Sequence, residues 1–275
     1  MKAPRQMLID AQAPTVRLRT WFALLLAALF IGLIAFAPAR LFEGIANRAL
    51  GPGAQLKIAM GTVWSGRGAL LLAGPSSAGN GTSIPLSWRV DPMTLLRLRA
   101  GVALTADSAA LTGKVKLALG IRSIEIRDAN LRIDASLITA VSSMAGLLGP
   151  AGMLQLDTDT GESVASSYRG VPLAGGKLKL RAENVLLRTL SPRTFGSYDI
   201  DIVLRDAAAD YRITQASGPL KLDGGGSVQW TTPRQFIYSG IASAAPDAAD
   251  ILAPLRNIGR PLPDGRLQID FQGGW

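Results

Sequence analysis

After Gly53 the chain alternates. In QLKIAMGTVW, Leu56, Ile58, Met60 and Trp64 fall on one side, and in SIPLSWRV, Ile84, Leu86, Trp88 and Val90 do so while Ser83, Pro85, Ser87 and Arg89 face away. A period of two sends successive side chains to opposite faces, so each run reads as a half-buried strand. The pattern returns at Val115, Leu117, Leu119 and Ile121, at Leu178 and Leu180 between Lys177, Lys179 and Arg181, at Ile200, Ile202 and Leu204, and at Leu267, Ile269 and Phe271. Glycine-rich turns separate the runs at intervals of roughly 8 to 15 residues, the layout of an antiparallel meander rather than of strands alternating with crossover helices. The fold class that follows is mainly β: an antiparallel, curved sheet with two or three short helices.

Few segments break the rhythm. DPMTLLRLRAG, residues 91–101, offers Asp91 as N-cap and Pro92 at the first helical position, which predicts a helix of two or three turns. DASLITAVSSMAGLLG, 134–149, and PDAADILAPLRNIG, 246–259, each close on a glycine and are further helix candidates, with Pro254 expected to interrupt the second. RLFEGIANRALG, 40–51, spaces Leu41, Ile45 and Leu50 for a short helix that stops at Gly51-Pro52. Gly149-Pro150-Ala151-Gly152 is the candidate meeting point of two halves that both run from glycine turns into alternating strands.

Ahead of the strands, WFALLLAALFIGLIAFA, residues 21–37, carries no charge. At about 1.5 Å per residue it covers roughly 25 Å, and Thr20, Pro38 and Ala39 bring it close to the ~30 Å of a bilayer core. Ala35-Phe36-Ala37 also resembles a signal-peptide cleavage site. However, Pro38 would follow the cut, and the apolar run exceeds the roughly 7 to 15 residues of a signal core. A retained transmembrane helix is the expectation. Lys2, Arg5, Arg17 and Arg19 precede it against Arg40, Glu43 and Arg48 after it, which places the N-terminus in the cytoplasm. The predicted organisation is a cytoplasmic leader at 1–20, a transmembrane helix at 21–39 and an extracytoplasmic β-rich domain at 40–275.

Composition removes most site chemistry. There is no histidine and no cysteine, so the commonest general base, the usual zinc ligands, thiol nucleophiles and disulfides are all missing. The net charge of +9 is spread without basic runs, and aromatics are only 6% of residues, which argues against nucleic acid. VWSGRG lacks the first glycine of a nucleophile elbow and is followed by a strand. GVPLAGGKLK has Val171 and Leu178 where a phosphate loop needs glycine and a hydroxyl residue. Asp159-Thr160-Gly161 has no second such triplet, and Asp157, Asp159 and Glu162 miss the spacing of a calcium loop. No catalytic, cofactor-binding or metal-ligating residue is assigned, and no cofactor is expected.

The order of the anchor, GTVWSGRG, IPLSWRVDPMTLL, SPRTFGSYDIDI, SGPLKLDGGGSVQW and the closing NIGRPLPDGRLQIDFQGGW resembles the N component of the general secretion pathway, the type II secretion system protein N family. The resemblance covers nearly the whole chain. It implies an inner-membrane, single-pass protein with a periplasmic domain, accessory to a machine that exports folded proteins through the outer membrane, with other secretion components as partners and no catalytic residues.

A second reading is a lipid-binding or lipid-transfer groove of the AsmA-like or lipopolysaccharide-export kind, which also pairs one N-terminal helix with a curved sheet. A groove needs an open aliphatic stripe, whereas a partner-binding sheet buries that face. The helix at 134–149 decides, because lying across the sheet it closes the core. The partner-binding candidates are Trp64 and Trp88 on the apolar side, Arg89 opposite them, and the basic strand face of Lys177, Lys179 and Arg181. For each, the plainer alternative is core tryptophan or solvated charge.

Overall fold

The structure, a computed structural model, describes residues 36–50, 54–72, 81–121, 123–141, 149–158, 164–167, 172–231, 234–257 and 259–274, together with 21, 22, 25, 26, 29, 32 and 33. It divides into two units, Met1–Ala37 and Pro38–Trp275. In the first, Trp21, Phe22, Leu25, Leu26, Leu29, Gly32 and Leu33 are helical. The expected leader and much of the expected span lie outside the described residues. Among the described residues no helix is long and apolar enough to cross a membrane.

The second unit is an open, antiparallel, sixteen-stranded sheet with few helices. Its strands are β1 (Ala54–Gly61), β2 (Ser65–Leu72), β3 (Thr82–Asp91), β4 (Ala100–Asp107), β5 (Leu111–Leu119), β6 (Ser123–Asp134), β7 (Pro150–Thr158), β8 (Val164–Ser167), β9 (Pro172–Ala174), β10 (Gly176–Leu187), β11 (Gly196–Arg205), β12 (Ala208–Ser217), β13 (Leu220–Gln229), β14 (Gln235–Ala244), β15 (Arg260–Pro261) and β16 (Leu267–Gly274). Spatial order follows the chain from β1 to β7, resumes at β10 and ends β14-β16-β15. The β8–β9 hairpin leaves this path: β8 pairs with Ser123–Ile126 of β6, while β7 pairs with Asn130–Asp134 of the same strand. At 150–152 β7 is paired with β10 alone, with an irregularity at Gly152, and it gains β6 as its second neighbour from Met153 onward.

Register lines the alternation up across the whole sheet. One transverse row reads Ile58, Gly68, Leu86, Ala106, Gly113, Leu131, Leu156, Leu180, Ile200, Ile213, Gly224, Gly240, Ile269. The next row reads Met60, Arg67, Ser87, Thr105, Lys114, Asn130, Asp157, Lys179, Asp201, Arg212, Gly225, Ser239, Asp270. The first row lies on the inner face and the second on the outer. A slip of one residue in any strand would exchange them, so the burial of the inner row fixes the register.

Three clusters cover the inner face. Leu72, Ile84 and Ala106 pack with Leu137, and Val164 of β8 packs on Leu204 and Ala209. Ala248, Ile251 and Leu252 from the segment after β14 pack on Phe195, Tyr198, Leu220, Ala242, Leu267 and Ile269. Ile84 and Ile251 are fully buried, each contributing roughly 1.5–3 kcal/mol of transfer free energy.

The helix expected at 134–149 is a short 3-10 turn, Ala135–Leu137, continued by Ile138–Val141, and 142–148 lie outside the described residues. The described part touches both halves of the sheet, through Leu137 on the β2–β4 cluster and Ile138 beside β7 and β10. At 91–101 only Pro92–Arg97 is helical, as a 3-10 turn, because β4 takes the chain from residue 100 and Leu98 ends the turn at φ 55°. Asp91 does cap it, accepting from Met93 N at 3.0 Å. The 246–259 segment forms two 3-10 pieces, Pro246–Leu252 and Pro254–Asn257, broken before Pro254 as its missing N–H dictates. Besides Trp64, which lies in the β1–β2 turn, two alternation assignments change. A bulge between Ile58 and Met60 turns Met60 outward, and Ile121 falls in a turn, fully open to solvent.

Helix α1 (Arg40–Leu50) forms at the expected place, and Asn47 and Glu43 meet β1 through polar contacts. Asn47 Nδ2 donates to Leu56 O at 3.2 Å, and Leu56 N donates to Asn47 Oδ1 at 2.6 Å. Ile58 N donates to Glu43 Oε2 over a longer 3.5 Å. β1 is an edge strand whose outward N–H and C=O groups would otherwise template another chain. The Asn47 amide, donor and acceptor in one plane, satisfies them as a neighbouring peptide would. Leu41 and Leu50 are left exposed.

Candidate functional site

The six candidate residues fall in three places. Trp64 sits in the turn between β1 and β2, not on a strand, and its carbonyl accepts from Val90 N at 2.6 Å. Trp88 Nε1 donates to Thr62 O in the same turn at 3.2 Å. The Trp88 ring lies where a Cβ on its cross-strand partner Gly66 would be, and Gly61, at φ 119°, closes the turn against Gly66 backbone. Glycine at both positions is therefore a packing requirement. The indole has found its carbonyl and walls a small hollow with Ala39, Ala46, Leu56, Ile58 and Val63.

Arg89 projects from the outer face into a cleft of about 570 Å³ that it shares with Arg67, Lys114, Ser87, Thr105 and Met60. No carboxylate lines the cleft, and its three cations enter no ion pair among the described residues. Like charges gathered without counter-charge project a positive potential that draws anionic groups. Arg67 and Lys114 were not singled out from sequence, since each is an ordinary polar position on an alternating strand. Only the register of β2, β3, β4 and β5 brings them beside Arg89.

Lys177, Lys179 and Arg181 lie on β10, far along the sheet order from Arg89 on β3. They do not form a basic face. Lys179 has Asp157 and Asp201 as its direct cross-strand neighbours. Arg181 Nε is 3.4 Å from Glu183 and 3.8 Å from Asp199. Such exposed pairs contribute about 0–1 kcal/mol each, but they cancel the local field. The outer face is thus basic at β2–β5 and charge-balanced at β7–β12.

On the inner face a cavity of about 350 Å³ opens between the sheet and the two crossing segments, walled by Leu154, Ile200, Ile213, Leu222 and Ile269 below and by Ile138 and Leu255 above. Beside it the inner row carries Gly224 and Gly240, paired side by side between Ile213 and Ile269, and an aromatic ring takes the space their side chains would fill. Tyr238 lies over both glycines, with its hydroxyl 2.9 Å from the position of a Cβ on Gly224. Tyr211 stacks on Tyr238 and Phe236, and Phe236 meets Phe271, with ring centres 5.8–6.4 Å apart.

The phenols differ in how they are satisfied. Tyr198 Oη donates to Leu220 O at 2.8 Å, and burial pushes its pKa well up. Tyr211 Oη donates to Ile237 O at 3.0 Å and is pushed up to about 12 by burial. Tyr238 Oη is buried with no hydrogen-bond partner among the described residues, and burial with the nearby Asp223 charge pushes it up to about 12. No cluster of acidic side chains suited to a metal ion occurs among the described residues. What the geometry supports is recognition: an anion-attracting cleft outside and an apolar cavity inside.

A family model described as type II secretion system (T2SS), protein N, matches residues 52–270. No curated protein matches the chain, and no solved structure does.

Proposed function

Because the chain belongs to the type II secretion system protein N family, we propose that it is a non-catalytic accessory subunit of that machine, acting through contacts with its other components in the export of folded proteins across the outer membrane. Residues 21–39 anchor it in the bacterial inner membrane with the N-terminus cytoplasmic, and the curved β-rich domain from residue 40 stands in the periplasm. The uncharged run at 21–37 and its flanking cations support this placement. So does α1, whose exposed Leu41 and Leu50 beside Arg40 and Arg48 suit a helix lying at a bilayer surface. The absence of histidine and cysteine from the chain supports a role without catalysis.

The observation that carries the contact reading is the Arg67–Arg89–Lys114 cleft, cationic and uncompensated on an otherwise balanced face. Its partner is an acidic surface segment of another secretion component. Photo-crosslinking in cells from probes at Ser87 and Thr105 should capture such a component, and Arg67→Glu with Arg89→Glu should abolish the adduct and impair secretion. Probes at Asp201 and Arg212 are the controls. Absence of protein adducts at the cleft, or adducts indifferent to charge reversal, would overturn the assignment of this face.

A further inference from the structure

One set of exposed apolar side chains belongs neither to the outer cleft nor to the inner face. Met93, Leu95 and Leu98 in the connection between β3 and β4, and Ile121 in the turn between β5 and β6, are 70, 42, 78 and 82% exposed. Antiparallel order puts both connections at the same end of the sheet as the β1–β2 turn. Successive turns at one end lie two strands apart, about 10 Å. Polar contacts tie them together: Val90 N donates to Trp64 O at 2.6 Å, and Arg99 Nη1 donates to Glu125 Oε2 at 2.7 Å. At the opposite end the β4–β5 turn is Ser108-Ala109-Ala110, with no large apolar side chain.

Leu98 adds an independent observation. It ends its 3-10 turn at φ 55°, a left-handed conformation that ordinarily goes to glycine or asparagine. A leucine held there with its side chain in solvent is not explained by the turn it closes. The chain also enters the domain at this end: Ala39 N donates to Gly61 O at 3.2 Å and Pro38 bridges to Thr62, directly after the uncharged run at 21–37. At about 3.3–3.6 Å per residue, a membrane span ending there keeps the β1–β2 turn close to the bilayer surface.

We infer that Met93, Leu95, Leu98 and Ile121 seat this end of the sheet in the bilayer surface, with their side chains among the upper acyl carbons. The inference rests on the reading of 21–39 as a retained anchor and is independent of the partner at the outer cleft. The sequence sets cations beside both apolar connections, Arg97 and Arg99 flanking Leu98 and Arg122 following Ile121, which suits an anionic headgroup layer. Seated in this way, α1 meets the bilayer through Leu41 at its Pro38 end, with Leu50 higher.

The chain has no cysteine, so single-cysteine variants of the full-length protein can carry a fluorophore at Leu95, Leu98 or Ile121, with Leu50 and Ala109 as references. The proteins are placed in vesicles of phosphatidylethanolamine and phosphatidylglycerol. Iodide should quench the Leu98 and Ile121 probes about threefold less than the Ala109 probe, and a spin label high on the lipid acyl chain should quench them in the reverse order, with Leu50 in between. Leu98→Asn suits the left-handed conformation, so it should keep the parental urea midpoint or raise it while weakening the shielding at Ile121 about twofold. A merely structural leucine would lower the midpoint and leave the shielding unchanged, which would overturn the inference. If alkaline carbonate releases the chain from the vesicles, the anchor reading fails and the inference falls with it. If the chain stays inserted while iodide reaches Leu98 and Ile121 as freely as Ala109, the inference alone is overturned. Probes shielded from iodide but untouched by the lipid spin label would also overturn it, because protein and not lipid would then cover the patch.

Discussion

The Asn47 clamp on β1 makes a position-specific prediction. Leucine has a helix propensity at least equal to asparagine, so Asn47→Leu should preserve α1 while leaving Leu56 N and Leu56 O without their side-chain partners. Each such bond contributes about 1 kcal/mol net, less where water can replace it. The two at 2.6 and 3.2 Å are half-buried, so the local loss is roughly 1–2 kcal/mol, equivalent to about a 5- to 30-fold shift in a local opening equilibrium. Amide hydrogen exchange on the full-length chain reads this directly. Leu56 should exchange faster by that factor and Ile58 by less, while Ile200 and Ile213 in the middle of the sheet stay unchanged. Asn47→Asp keeps the acceptor for Leu56 N but faces a carboxylate against Leu56 O. It should lie between the parent and the leucine variant at neutral pH, and approach the parent below about pH 4, where a protonated carboxyl regains a donor. If Leu56 exchanges at the parental rate in Asn47→Leu, the side chain does not protect the edge and the reasoning fails.

Three further outcomes follow from the inner face. Gly240→Ala forces a Cβ into the Tyr238 phenol, and should cost about 1–3 kcal/mol in urea unfolding, where an exposed Gly265→Ala control meets nothing but its own positive φ. Tyr198→Phe removes the donor to Leu220 O and should destabilise by about 0.5–1.5 kcal/mol; no change in midpoint would mean that the carbonyl finds another partner. Tyr211 and Tyr238 are held near 12 by burial against about 10 when unfolded. Since the folded state keeps these protons longer, their contribution is complete below about pH 10 and is lost as pH rises through 12. Stability should therefore fall across that window, with phenolate absorbance rising late; a phenolate signal complete by pH 11 without unfolding would refute the burial.

Much of the sheet was legible from alternation alone, because Leu180, Ile200 and Ile269 obey a period of two and their register partners obey it too. Bulges were not, since an extra residue inverts parity without any local mark. That is why Met60 lies outside, and why Val185 re-enters the core after the irregularity that follows Ala182. The short helices were overestimated because capping signals such as Asp91-Pro92 specify a start, while the end is set by the next strand's demand for the chain. The basic cleft was half visible, in Arg89 only, because its other cations arrive from strands whose relative sliding no single segment encodes. The same holds for the charge balance around Lys179, whose acidic neighbours lie on β7 and β11.

A sheet whose spatial order follows its chain order has a consequence for how it comes into being. Most strands need only a short loop to close on one already laid down, so the entropy of those closures is small and assembly can proceed as a zipper from one end. Two places differ: β16 reaches β14 only across residues 245–266, and the first half of β6 has as its partner β8, which arrives only after all of β7 has been added. Until then that half-edge of β6 stands open. A chain delivered end first would therefore build most of its early strands through short closures and hold that half-edge exposed, midway, until the segment at 164–167 arrives.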